Sequence, residues 1–309
     1  MRPPWSMVLF TVIAVAGQGV FVLLAWGQLT GGSNSLAQNP TLFSTLSLLS
    51  VILLLVGLVS AFFHLGRPSR AWRSASQWKT SWLSREIIVM PTMMGIAALH
   101  GLQAVVPALQ PYGTVVAVAG LLVALLMWLC TGMIYGCLKF LQEWATPLTP
   151  ISFAIFGLAS GALVQLATER LMGTGASAIN TLAVGLLVIA AALKAVIFVR
   201  NARLKPKSTL SSATGIPGRI RQISMGTMGG SFNTREFFHG ASSALLKKMR
   251  IVVLVGAFLG PLVILALIGT SSAAVVTATL MHAIGMIAER WLFFAQANHP
   301  QNLYYQKVG

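Results

Sequence analysis

Long apolar runs alternate with polar connectors along the whole of this 309-residue chain. The runs fall at 6–28, 41–64, 85–107, 112–140, 148–168, 178–200, 250–270 and 272–295. A helix crossing a bilayer core takes about 20 mostly apolar residues. Each run therefore predicts one membrane-spanning helix, and residues 1–309 read as a single all-α polytopic domain, a bundle of eight. Proline marks several starts, at Pro4, Pro40, Pro147 and Pro150, where a missing N–H costs least. Pro261 predicts a kink in the seventh run. Gly157 and Gly161 form a GxxxG pattern that lets the fifth helix approach a neighbour closely. The N-terminal MRPPWSMVLF precedes no A-x-A-like site, so the first run is expected to be a retained span rather than a cleaved leader.

Composition strengthens this picture. Only 8% of residues are charged and 56% are hydrophobic, against about 25% charged in soluble domains. There is no aspartate; Glu86, Glu143, Glu169, Glu236 and Glu289 stand against 21 lysines and arginines, for a net charge of +16. On a soluble protein such an excess would point to nucleic acid. Here it has a simpler cause, because cationic connectors hold a membrane protein in one orientation. Eight spans place both termini on one side. Arg2, the segment from Arg67 to Arg85, Lys139, the segment from Arg200 to Arg250, Arg290 and Lys307 all fall on that side, and only Arg170 falls on the other. Lys194, inside the sixth run, is expected to snorkel toward the basic side. The positive-inside rule then makes the basic side, with both termini, cytoplasmic in a bacterial inner membrane.

Cys130 and Cys137, two helical turns apart, are too distant for a disulfide and form no Cys/His cluster. They are expected to pack, with no metal site in this chain. The long connector 201–249 is basic and rich in glycine and serine, yet contains FNTREFFH at 232–239. Such loops are commonly functional or disordered. Docking of a partner through Arg235, Phe237 and Phe238 competes with simple attraction to anionic lipid head groups.

Chemistry concentrates where the second run meets the third. His64 falls in the last turn of the second helix, and Glu86 is expected in the first turn of the third, with Ser84 as a cap. Antiparallel neighbours would bring both to one depth at the basic side, and ionisable groups within spans usually face a cavity or a partner. The bland alternative has His64 capping its helix while Glu86 pairs with Arg85 or Arg67. The functional alternative suits a quinone. A neutral imidazole can hold or protonate one ring oxygen, and a carboxylate can relay protons to the aqueous surface. Arg67, Arg70 and Trp82 would complete such a pocket. Trp72, Trp78 and Arg73 on the same connector suit a docking surface, since aromatics and arginine anchor interfaces. An interfacial aromatic belt is the competing explanation for the tryptophans.

The segment FHLGRPSRAWRSASQWKTSWLSREI (63–87) resembles the signature of the DmsC/NrfD-type membrane anchor subunits of molybdopterin oxidoreductases, and the likeness extends over the chain to AERWLFFAQANHP (288–300). The resemblance implies that His64 and Glu86 are quinone-site residues. It also implies a four-cluster iron–sulfur partner and, through it, a molybdopterin-bearing catalytic partner. LKFLQEWATPLTP (138–150), FNTREFFHG (232–240) and ERWLFFAQANHPQNLYY (289–305) look like the subgroup serving cytoplasmic-facing sulfite-oxidising enzymes. The expected function is therefore to pass electrons from sulfite oxidation to ubiquinone or menaquinone, with molybdopterin and iron–sulfur clusters held only by partners.

Two other readings compete. A haem b anchor needs two axial ligands at one depth, and no two span histidines clearly share one; His282, near mid-span, keeps that reading open. A transporter places polar groups near the midplane, where Lys194, His282, Gln18 and Gln165 are candidates. Glu289 lies seven residues after His282 on the same face, and the two are expected either to pack together or to form a proton path.

Overall fold

The computed structural model describes residues 1–63, 65–174, 177–205, 207–218, 220, 238–300 and 302. Among them are eight helices long and apolar enough to cross a membrane. They are α1 (Trp5–Thr30), α2 (Pro40–Phe62), α3 (Trp82–Leu102), α4 (Gly113–Gly136), α5 (Leu148–Leu171), α6 (Ser177–Ala202), α7 (Ser243–Ile268) and α8 (Ser272–Ala295). Two 3₁₀ segments, Pro68–Gln77 and Pro107–Tyr112, lie between α2 and α3 and between α3 and α4.

The helices start and stop for local reasons. Asn39 caps α2, its side chain accepting from the Leu42 N–H, with proline next in line. Ser271 caps α8 in the same way. At α3 the cap is Ser81, which accepts from the Ser84 N–H. The helix thus opens three residues before the expected start, and Ser84 is not the cap. Glu86 therefore stands in the second turn, where the attraction of the helix end for a carboxylate has fallen off. α7 begins at Ser243, seven residues earlier than expected, because Ser242 supplies a cap to Leu245. It then rewinds into π-helical turns at Leu254–Leu259 and Ile264–Ile268, on either side of Pro261.

α1 and α5 form the centre, with 72% and 67% of their most apolar windows buried against 28–39% for the other helices. Lipid tails are as apolar as leucine, so helices in a bilayer associate through packing and hydrogen bonds rather than through hydrophobic exclusion. The α1–α5 crossing shows the consequence. A methyl group placed on Gly19 would lie 1.8 Å from the Gly157 carbonyl oxygen, and one on Gly161 would lie 2.2 Å from the Gly19 carbonyl carbon. The expected GxxxG contact is therefore made against a third glycine on α1. Ser50 of α2 adds a buried hydrogen bond to the Gly17 carbonyl at 2.9 Å.

One end of the bundle gathers the beginning of the chain, the α2–α3 and α4–α5 connectors and the end of α8. The Met1 nitrogen donates to the carbonyls of Phe294, Ala295 and Ala297 at 2.9–3.3 Å. Trp144 Nε1 donates to the Phe293 carbonyl at 2.9 Å, and Arg200 at the end of α6 donates to the Gln142 carbonyl at 3.0 Å. This is the basic end. Arg170, at the opposite end, donates to Thr270 Oγ1 at 2.9 Å.

Gly161→Val should weaken the bundle by about 1–3 kcal/mol or more, as overpacking does. Gly185→Ala, which adds a methyl where nothing lies within 4 Å, should leave it unchanged or slightly more stable. Thermal melting of the detergent-solubilised protein checks the pair; equal melting temperatures for both variants would mean that the α1–α5 contact is not limiting.

Candidate functional site

A cavity of about 990 Å³ opens at the basic end. The N-terminal segment, the end of α2, the 3₁₀ connector, the first turns of α3, the end of α4 and Phe294 of α8 enclose it. Its walls are mostly apolar, and Glu86 is the one carboxylate among the described residues lining it. Phe62, Leu83 and Pro91 line the cavity and are exposed.

Glu86 is buried, with 4% of its surface exposed. Thr131 on α4 donates to Glu86 Oε1 at 2.5 Å. A buried carboxyl must find hydrogen bonds within the protein, or bury an unpaired group at a cost of several kcal/mol. One oxygen is satisfied in this way, and no described cation pairs with the carboxyl. The expected alternative of a pair with Arg85 is not what forms. The Arg85 side chain turns back to donate to the Trp78 and Lys79 carbonyls at 2.9 and 2.8 Å, with its guanidinium 4.3 Å from the Trp82 ring.

One turn beyond Thr131, Tyr135 also lines the cavity. Its ring stands edge-on to Trp144, Phe293 and Phe294, with centroids 5.2–5.5 Å apart, and parallel to Phe153 at 6.0 Å. Sequence inspection missed Tyr135 and Trp144 as cavity residues and Thr131 as the partner of Glu86. The signal available was a threonine and a tyrosine four apart in an otherwise apolar run, which places both on one helix face. Glu143, next to Trp144 in the α4–α5 connector, is held above the usual carboxylate range by burial, against backbone hydrogen bonds and the Arg200 charge that act to lower it.

His64, Arg235 and Phe237 lie outside the described residues. Leu65, next to His64, and Phe62, two residues before it, line the cavity, while Phe63 is exposed. Arg67 and Arg70 are exposed, and neither they nor Trp82 are among the lining residues. The 3₁₀ segment Pro68–Gln77 has no buried residue. Trp72, expected at a docking surface, lines the cavity while remaining 71% exposed. Trp78 is exposed, and Arg73 and Lys79 lie over the rings of Trp72 and Trp78 at 5.4 and 5.9 Å. Phe238 packs on His239 with centroids 4.5 Å apart.

His282 and Glu289 do not form a pair. His282 Nε2 bonds Ser160 Oγ at 2.8 Å and Nδ1 bonds the Ala257 carbonyl at 2.5 Å. Both ring nitrogens are hydrogen-bonded within the bundle. His100 packs against Phe21 and Phe43 among α1 and α2. Glu289 instead accepts from Lys194 Nζ at 2.5 Å and from Arg290 Nε. Lys194 is 1% exposed and does not snorkel, because the acid on α8 holds it inside. The Arg290 guanidinium lies 4.4–5.7 Å from the rings of Phe153, Phe293 and Phe156. Cys130 is buried as expected, while Cys137 is exposed.

A bundle of eight spanning helices, with a buried acid lining a chamber at its cationic end, defines an integral membrane subunit able to hold an apolar ligand with a polar head. The chain belongs to the DMSO reductase anchor subunit (DmsC) family, whose profile matches residues 1–295. It is thus a membrane anchor subunit of an oxidoreductase complex. It is 41% identical to the C subunit of the sulfite dehydrogenase of Allochromatium vinosum over the full length of both proteins. It is 25% identical to the C component of the anaerobic dimethyl sulfoxide reductase of Escherichia coli, over 58% of this protein and 62% of that one.

Two cations and one carboxylate share the α6–α8 cluster, so removing the acid should harm more than removing one base. Glu289→Gln is expected to cost about 3–5 kcal/mol, the penalty for stranding buried charge. Lys194→Met, which leaves Arg290 paired, should cost less. Thermal melting of the two variants tests this, and an equal loss would contradict Glu289 as the shared counter-ion.

Proposed function

We propose that this subunit is the quinone-reactive anchor of a molybdopterin and iron–sulfur oxidoreductase, and that it delivers electrons from sulfite to membrane quinone. The observation that carries this reading is the chamber itself. A buried carboxyl with one hydrogen bond among the described residues, together with Phe62 and Leu65 on either side of His64 in the chain, faces one mostly apolar space. A quinone ring and the first part of an isoprenoid tail match that character. Full-length identity to the C subunit of a sulfite dehydrogenase supports sulfite as the substrate of the complex.

Sulfite and water yield sulfate, two protons and two electrons on the molybdopterin subunit. The electrons pass through a four-cluster iron–sulfur partner to the cavity, where ubiquinone or menaquinone takes two electrons and two protons to become hydroquinone. His64 holds one ring oxygen and supplies it with a proton. Glu86, oriented by Thr131, relays protons from the aqueous rim. The exposed surface of Trp72, Trp78 and Arg73, together with Arg235, Phe237 and Phe238, receives the iron–sulfur partner. Arg67 and Arg70 line the approach to it rather than the quinone ring. The cationic end faces the cytoplasm of a bacterial inner membrane, as the positive-inside rule requires. The catalytic head is therefore cytoplasmic.

Glu86→Gln and His64→Ala should each lower quinone-coupled sulfite oxidation on the order of a hundredfold, the usual size of a lost acid–base group, while dye-coupled oxidation by the partner subunits persists. Loss of both activities in parallel would show that these residues serve assembly alone. A reporter fused after Gly309 should report a cytoplasmic location; a periplasmic signal would reverse the orientation.

A further inference from the structure

We propose that the backbone carbonyl of Ile87 is a hydrogen-bond acceptor of the cavity that favours hydroquinone over quinone; this rests on the reading of the cavity as a quinone site. Two prolines lie deep inside spanning helices, Pro91 in α3 and Pro261 in α7. Each lacks the N–H that an α-helix would donate to the carbonyl four residues earlier. In a bilayer such an orphaned carbonyl must be satisfied from within the protein or by what fills a cavity.

The two sites answer this need differently. At Pro261 the helix is wound in π turns on both sides, and His282 Nδ1 reaches from α8 to the carbonyl of Ala257, four residues before the proline, at 2.5 Å. The ring can come so close because α7 and α8 touch at glycine: a methyl on Gly285 would lie 2.2 Å from the Ala257 nitrogen. At Pro91 the carbonyl is that of Ile87, and no described side chain donates to it. The side-chain hydroxyl nearby, Thr92 Oγ1, bonds the Ile88 carbonyl instead, at 3.0 Å. Ile87 and Pro91 both line the cavity, and Glu86 is the adjoining residue. An acceptor without its helical donor thus sits next to the cavity carboxyl.

The chemistry of the occupant follows. An amide carbonyl accepts hydrogen bonds but takes up no proton at neutral pH. It can pair with a hydroquinone hydroxyl, whereas a quinone oxygen, itself only an acceptor, gains nothing from it. The Ile87 carbonyl is therefore a positioning group: it holds the hydroxyl of the reduced ring beside Glu86, while the proton itself moves through the carboxyl.

The test compares a short-tail ubiquinol and the matching ubiquinone, measured anaerobically by equilibrium binding to the detergent-solubilised complex with its partner subunits. Pro91→Ala supplies an N–H that closes the helical bond to Ile87. It should weaken hydroquinone binding by about three- to tenfold, the effect of one ordinary hydrogen bond, and change quinone binding less than twofold. Lactic acid incorporated at position 91, which has neither ring nor N–H, should restore hydroquinone affinity. Unchanged hydroquinone affinity in Pro91→Ala, an equal loss for both ligands, or no restoration by the ester would overturn the proposal while leaving the quinone site standing. If the unmodified complex binds neither ligand, the reading of the cavity falls, and this proposal with it.

Discussion

Hydrocarbon offers a polar group no partner, and this single constraint organises the protein. Buried donors, acceptors and charges are best met from within the protein, so the polar contacts help hold the bundle together. Ser50 reaches across to the Gly17 carbonyl, His282 serves both Ser160 and the Ala257 carbonyl, and Glu289 holds two cations at once. In lipid they determine which helices become neighbours.

The same constraint separates the two ends of the molecule in kind. In the α6–α8 cluster the carboxylate has both oxygens engaged, and the arginine lies among the rings of Phe153, Phe156 and Phe293. Such a site is suited to holding structure. At the basic end, Glu86 has a single described partner and faces open space. A polar group left partly unmet inside a membrane protein is tolerated when it lines a cavity. The contrast between the paired acid on α8 and the one facing the cavity on α3 is the physical basis for the proposal that gives Glu86 a role in the chemistry.

Close packing at the centre makes the open end feasible. The glycine contact of α1 with α5 draws two backbones together and fills the middle of the bundle. α2 and α3 lie farther out and are joined by a connector in which no described residue is buried. A chamber can persist there because the core does not depend on filling it. Trp72, whose ring lies under Arg73, is both exposed and part of the chamber lining.

The amino-acid sequence by itself determined the eight spans, their alternation and the concentration of cations at one end, because bilayer thickness and charge asymmetry act on runs of residues irrespective of their neighbours. It also marked Glu86 as the acid to watch and Gly157 and Gly161 as a contact face. Tertiary structure alone decided which polar groups meet. Lys194 looked like a snorkelling cation until α8 brought Glu289 to it, and His282 seemed paired with Glu289 until α7 presented the Ala257 carbonyl. Thr131 and Tyr135 acquired a role only when α4 set them against α3. A polar side chain in a span must be satisfied somewhere, but the partner lies on another helix. Periodicity along one helix carries no record of which neighbour that is.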